Sequence, residues 1–219
     1  MPMPGHMEYI EHIEHADSTG FIKDTEGTGQ IGHSEKSEYT LAQVWERLKA
    51  GNERYIAARK NDGDISPERR RDTAVHGQHP YAVVIACADS RVIPEDIFLC
   101  GIGELFTIRV AGNIISDQQL GSVEYALRHL GCPLTLVLGH THCGAVGAAI
   151  LGHGDGYIRS ITDEIHAAIG AETDDVEASR KNAEYSAEKI RQALALDPAL
   201  KGFTVASAVY DVETGEVLW

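Results

Sequence analysis

Two short segments hold the side chains best suited to chemistry. Cys87-Ala-Asp89-Ser90-Arg91-Val92 follows the apolar residues 83–86, and Gly139-His140-Thr141-His142-Cys143-Gly144 follows the apolar residues 136–138. Together they offer two thiols, an imidazole and a carboxylate. Cys87, His140 and Cys143 make a Zn²⁺ ligand set, with the fourth place open to water or to Asp89. Thiolate and imidazole are soft or borderline donors and favour zinc over harder cations. Each residue also has a plainer reading. A cysteine at a strand end packs as a small hydrophobe. An Asp89–Arg91 pair at the surface is an ion pair worth about 0–1 kcal/mol, and a lone His-x-x-Cys is a weak signal. The coincidence raises the metal to an even footing with packing: both segments stand at strand ends, and ligands of parallel sheets bind beyond the carboxyl ends of strands. Cys100 and Cys132 have no such neighbours and are assigned to packing.

The elements that must position these segments alternate. Thr40-Leu-Ala-Gln43 has the spacing of a capping box. Leu41, Val44, Leu48 and Tyr55 recur at helical spacing and predict a helix near 41–58. Asn61-Asp-Gly-Asp is a turn, and residues 68–73 form a charged, helix-compatible stretch. Residues 81–86 read as a strand buried on both faces, the habit of parallel sheets. Pro94 opens a short helix. Residues 105–110 form a second strand, 120–130 a helix ending at Gly131, and 134–138 a third strand. Helical patterns continue from Gly144 and over 158–196, with a break around 170–175. A last strand at 203–210 precedes a turn at Thr214-Gly215 and Val217-Leu-Trp. This order predicts an α/β fold, a central, largely parallel sheet flanked by helices and preceded by an N-terminal helical arm.

Composition narrows the partners. The chain has 219 residues and a formal charge of −14, which disfavours nucleic acid and anionic membranes. No run approaches the roughly 18–20 apolar residues of a membrane span. The N-terminus shows neither a basic n-region nor an apolar h-region, so the expected location is cytoplasmic, and the four cysteines are expected to be reduced thiols. Residues 1–39 carry eight acids and two bases and read as an acidic, flexible extension, with residues 40–219 as a single catalytic domain. His6, His12 and His15 lie in that extension; a solvated arm is the plainer reading, a weak metal-loading patch the alternative.

The two metal-ligand motifs, in this order, are accompanied by Gly103-Glu-Leu-Phe-Thr-Ile-Arg-Val-Ala-Gly-Asn113, Gly121-Ser-Val-Glu-Tyr125-Ala and the closing Ala208-Val-Tyr-Asp-Val-Glu-Thr-Gly-Glu-Val217. From about residue 40 onward the chain resembles the β-class carbonic anhydrases. The resemblance implies a zinc hydro-lyase (carbonate dehydratase) that reversibly hydrates carbon dioxide to bicarbonate and a proton. It implies Zn²⁺ on Cys87, His140 and Cys143, with a zinc-bound hydroxide oriented by an Asp89–Arg91 dyad. Were the Arg91 clamp to break, Asp89 would become the fourth zinc ligand in an inactive state. The resemblance places Gln78 near the substrate oxygens, and Phe106, Ala111 and Tyr125 around a small apolar pocket shared across subunits. It thus implies a homodimer or higher homo-oligomer. Val110 and Ala111 depart from the family, which often has Asn in the first place and sometimes Val in the second. His142, between the ligands, is read as solvent-facing, with proton shuttling as its alternative.

Three other readings stand beside this one. The same centre could act on carbon disulfide or carbonyl sulfide, which share the linear shape of CO₂. The metal could be structural, in a non-catalytic or bicarbonate-binding protein, although an Asp–Arg pair beside the ligands is then superfluous. A thiol redox protein is the third, weakened by the lack of Cys-x-x-Cys and by the sequence distance from Cys87 to Cys143.

Overall fold

The computed structural model describes residues 38–219, so His6, His12, His15 and nearly all of the acidic extension lie outside the described residues. Helix α1 (Leu41–Ile56) starts at the predicted capping box: Gln43 N–H donates to Thr40, and Thr40 N–H donates to the Gln43 side chain. Its buried face carries Val44 and Leu48. Helix α2 (Pro67–His76) has Pro67 in its first turn behind the cap Ser66 and buries no residue.

The sheet then begins. Its strands are β1 (Ala82–Ala86), β2 (Leu105–Arg109), β3 (Leu134–His140), β4 (Thr204–Tyr210) and β5 (Val217–Leu218). The order is β2-β1-β3-β4-β5, parallel throughout except for the closing β4–β5 pair. Between the strands lie α3 (Pro94–Ile97), α4 (Asp117–His129), α5 (Gly144–Ile150), α6 (Arg159–Ile169) and α7 (Asp175–Ala195). This is the α/β architecture that the alternating pattern predicts. The helical region 158–196 is two helices, divided by Gly170 at φ +59°.

Period-two alternation sorts the strand side chains between two cores. Val84, Ala86, Leu136, Leu138 and Ala208 face α1 and α3, packing with Val44, Leu48 and Phe98. Val83, Ile85 and Val137 face α4 and α7, packing with Val123, Leu127, Ala183, Ala187 and Ile190. Both faces of the central strands are covered, which explains their unbroken apolar runs. A third core lies beyond the strand ends and contains Cys87, Cys143, Val146, Ile165 and Ala178.

Glycine in mid-helix ordinarily weakens a helix by roughly 0.5–1 kcal/mol. Gly51 in α1 is retained by contact: a Cβ there would sit 2.1 Å from the carbonyl oxygen of Phe98. Gly51→Ala should therefore destabilise the protein by about 1–3 kcal/mol despite its better helix propensity, read as a lower midpoint in urea. An unchanged or higher midpoint would contradict this packing of α1 on α3.

Candidate metal centre

Strands β1 and β3 are hydrogen-bonded neighbours in parallel, with Ala86 opposite Leu138. The loop leaving β1 and the last residues of β3 therefore arrive at one edge of the sheet. Cys87 is the first residue past β1. His140 closes β3, which runs two residues beyond the predicted end because Gly139 and His140 pair with Val209 and Tyr210 of β4. Cys143 is the N-cap of α5. All three are buried, and the ligand atoms they offer lie within 4.8 Å of one another.

The fit of this set to zinc can be tested on its own atoms. The Sγ atoms of Cys87 and Cys143 are 4.0 Å apart and both thiols are free. Two sulfurs at about 2.3 Å from one tetrahedral zinc would stand roughly 3.8 Å apart. The Nδ1 of His140 lies 2.9 Å from the Thr141 carbonyl oxygen. A carbonyl only accepts, so Nδ1 carries the hydrogen and Nε2 keeps its lone pair. That Nε2 is buried and has no hydrogen-bond partner, a state that costs roughly 1–3 kcal/mol without compensation. The residues fit the metal, and the orphaned nitrogen gives it a reason to be there. Cys87 and Cys143, far apart in sequence, are neighbours in the fold, which removes one objection to a redox pair; a thiol pair alone nevertheless leaves Nε2 unexplained.

Electrostatics prepare the same result. The Cys87 sulfur shares a hydrogen bond with the Cys143 sulfur and accepts backbone N–H bonds from Asp89 at 3.4 Å and Gly112 at 3.3 Å. Hydrogen bonding, that with Cys143 first, pulls the Cys87 thiol below the usual thiol range. Cys143 is pushed up, first by that bond to Cys87 and then by burial. A divalent cation between the two sulfurs is what would let both ionise.

Asp89 and Arg91 form a fork. Arg91 Nε donates to Asp89 Oδ1 at 3.0 Å, Nη2 donates to Oδ2 at 2.7 Å, and the Arg91 backbone N–H donates to Oδ1 at 2.9 Å. Hydrogen bonding to Arg91 holds the Asp89 carboxyl well below the usual carboxylate range. With both oxygens engaged by Arg91, Asp89 lies outside the group of three metal-facing residues.

The other residues singled out from sequence are spread more widely. Ala111 is half-buried and precedes Gly112. Phe106 pairs in register with Val83, about four residues or 13 Å of strand short of Cys87. Its ring stacks at 6.2 Å on Tyr125, which is 48% exposed. Gln78 is exposed just past α2. His142 points to solvent, with φ at +55°. Cys100 and Cys132 are buried, and burial pushes both thiols up to about 12, as expected of packing residues.

Several residues that organise the centre were given no role from the sequence, although Arg109 and Gly112 lie inside the quoted 103–113 stretch. Arg109, at the end of β2, donates to the carbonyls of Cys87 and Asp89 at 3.0 and 2.5 Å; its signal is a lone charge closing an apolar strand. Gly112 supplies an N–H to Cys87 with φ at +68°, and a Cβ there would meet Ile165 Cδ1 at 2.6 Å. Helix α7 presents Asp175, Ser179 and Asn182, spaced i, i+4, i+7. Asp175 accepts from His142 N–H at 2.7 Å, Ser179 donates to the His140 carbonyl at 2.9 Å, and Asn182 donates to the Gly112 carbonyl at 2.8 Å. Small polar residues at helical spacing are their only trace in the sequence.

A family model described as Carbonic anhydrase matches residues 82–217. Over 127 residues the chain is 44% identical to carbonic anhydrase 2 of Mycobacterium tuberculosis, covering 56% of this chain and 61% of that protein. Over 131 residues it is 40% identical to the carbonic anhydrase of Mycolicibacterium smegmatis, covering 58% and 63%. The matched stretch thus spans about three fifths of these relatives' length. Among solved structures, the β-carbonic anhydrase CafA of Aspergillus fumigatus superposes with a TM-score of 0.57 at 28% identity, over 79% of this chain and 88% of that one. The β-carbonic anhydrase CcaA gives 0.55 at 25% identity, over 80% and 92%.

Replacing Cys87 with Ser should strip the protein of zinc that the unaltered chain retains through chelator competition. The loss of affinity should exceed the roughly 10–100-fold that losing a supporting hydrogen bond costs. Metal analysis after dialysis reads it, and undiminished affinity would remove Cys87 from the ligand set.

Proposed function

Because the chain belongs to the β-class carbonic anhydrase family, we propose that it reversibly hydrates carbon dioxide to bicarbonate and a proton at a zinc ion held by Cys87, His140 and Cys143. The observation that carries this reading is the convergence of two free sulfurs and one unpartnered imidazole nitrogen at a single buried point. Zinc bound there would bring the pKa of a water from about 15.7 toward 7 and so supply a nucleophile at neutral pH.

The chain's own residues then orient that nucleophile. An ionised carboxylate has about four acceptor sites. Arg91 occupies two on Oδ1 and one on Oδ2, which leaves one on Oδ2. That oxygen can accept the hydrogen of the attacking water species and turn its free lone pair toward the CO₂ carbon. Arg91 fixes the carboxylate through parallel N–H bonds that a lysine could not supply. It also keeps Asp89 charged and off the metal ligands. The buried thiolates and imidazole exclude bulk water from the ligand side, and the product proton leaves to solvent.

Residues 40–219 act as one catalytic domain in this reading. Gln78 and Tyr125 are exposed on the single chain, and α2 buries nothing; this supports a homodimer or larger homo-oligomer in which a second copy completes the substrate pocket around Gln78, Phe106, Ala111 and Tyr125. Four free thiols suit a reducing, cytoplasmic setting.

Asp89→Asn keeps the shape of the side chain but removes its charge. Stopped-flow CO₂ hydration should fall about a hundredfold or more, with zinc content unchanged. Full activity with zinc retained would sink the dyad role. The pH–rate profile should lose activity below neutrality through the nucleophile alone. Asp89, with its carboxyl held low by Arg91, stays ionised above pH of about 4, the ordinary carboxylate value. An acid limb that Asp89→Asn displaced would contradict that assignment.

A further inference from the structure

The backbone of His142 is gripped from both sides. Its N–H donates to Asp175 Oδ2 at 2.7 Å, and its carbonyl accepts from Arg91 Nη2 at 3.1 Å. The same Nη2 gives the 2.7 Å bond to Asp89 Oδ2. Between the two grips the chain takes φ of +55°, a left-handed conformation that costs a β-carbon-bearing residue roughly 1–2 kcal/mol. Without restraint, this turn would relax and carry its carbonyl away from Arg91.

We infer that Asp175 is a positioning residue for the reaction: by holding the His142 N–H it fixes the His142 carbonyl, which seats Arg91, which in turn aims Asp89. The inference rests on the proposed CO₂ hydration but adds a residue 33 positions from His142 and 84 from Arg91. The foundation of this relay is stiff. Asp175 is the first residue of the 21-residue α7, whose Asp174 cap accepts from Glu177 N–H at 2.9 Å. One and two turns further on, Ser179 and Asn182 are fastened to His140 and Gly112. Asp175 is therefore the outermost of three rungs that tie one helix face to two segments of the centre, the His140–His142 stretch and Gly112. It is also the one whose rung reaches Arg91. The His142 ring takes a lesser part: its Nδ1 is 3.7 Å from Asp175 and the side chain is 65% exposed.

The mechanism makes Asp175 an acceptor for a backbone N–H, so its oxygen matters and its charge does not. The test compares Asp175→Ala, Asp175→Asn, His142→Gly and the Asp175→Ala/His142→Gly pair in the full chain loaded with zinc. Asp175→Ala should lower kcat for CO₂ hydration about tenfold, the effect of a second residue acting through a held one, with zinc content unchanged. Asp175→Asn, whose amide oxygen still accepts, should stay within about twofold of the unaltered enzyme. Glycine adopts the left-handed turn without strain, so adding His142→Gly to Asp175→Ala should restore most of the lost rate. A second readout needs no turnover. The rate at which phenylglyoxal labels Arg91, followed by peptide mass spectrometry, should rise in Asp175→Ala and return toward normal in the pair. Asp175→Asn as damaging as Asp175→Ala would overturn the inference, and so would an Arg91 labelling rate indifferent to Asp175. Should the unaltered, zinc-loaded protein fail to hydrate CO₂, the proposed reaction fails; the Arg91 labelling series then decides whether Asp175 seats Arg91.

Discussion

Two thiols cannot both be thiolates 4.0 Å apart in a buried site unless something positive lies between them. At an effective dielectric of 20, two unit charges at that distance repel by about 4 kcal/mol. The structure relieves this only in part, with backbone N–H bonds from Asp89 and Gly112 to the Cys87 sulfur. His140 adds a buried lone pair with no hydrogen to accept. Arg109, Gly112 and Ser179 bond to the Cys87 and His140 residues that carry these donors, an arrangement that is costly without a cation.

The holding is done by backbone groups and by elements distant in sequence. β1 and β3 bring the ligands to one edge by parallel pairing, which requires crossover helices and a sheet covered on both faces. Arg109 ties down the carbonyls of the Cys87–Asp89 loop. Helix α7 grips the His140–His142 stretch and Gly112 through Asp175, Ser179 and Asn182. Such outer partners fix ring orientation and ligand basicity, and metal centres depend on them nearly as much as on the ligands. Here they also set the position of the Asp89–Arg91 fork, because Arg91 leans on the His142 carbonyl.

In the proposed function, the fork is what would separate a working metal from a structural one. A purely structural zinc is satisfied by closed coordination, and it gains nothing from a charged carboxylate beside it whose oxygens are occupied by an arginine. An Asp89 turned toward Arg91 keeps one acceptor site for a reacting molecule. The substrate pocket is a different matter, since Phe106, Tyr125 and Gln78 are not drawn around the three ligands within the single chain.

Cys87, His140 and Cys143 were legible as a candidate ligand set, because soft donors at two strand ends are a chemical fact of residue type and order, and the fold brings the three together. So was the strand–helix alternation, through apolar runs and a capping box whose effects are local. Gly139 and His140 fell outside the expected β3, because their pairing with Val209 and Tyr210 is a long-range event with no local mark. Nothing in the order of residues connects Asp175, Ser179 and Asn182 with the centre, since a polar residue on a helix looks the same whether it meets water or a backbone carbonyl. Which nitrogen of His140 faces the sulfurs, which way Asp89 turns and what steadies the left-handed turn at His142 were settled in the folded molecule. Each depends on a hydrogen-bond geometry that local pattern does not encode, and for Asp89 and His142 the partners converge only once the sheet has closed and α7 has docked.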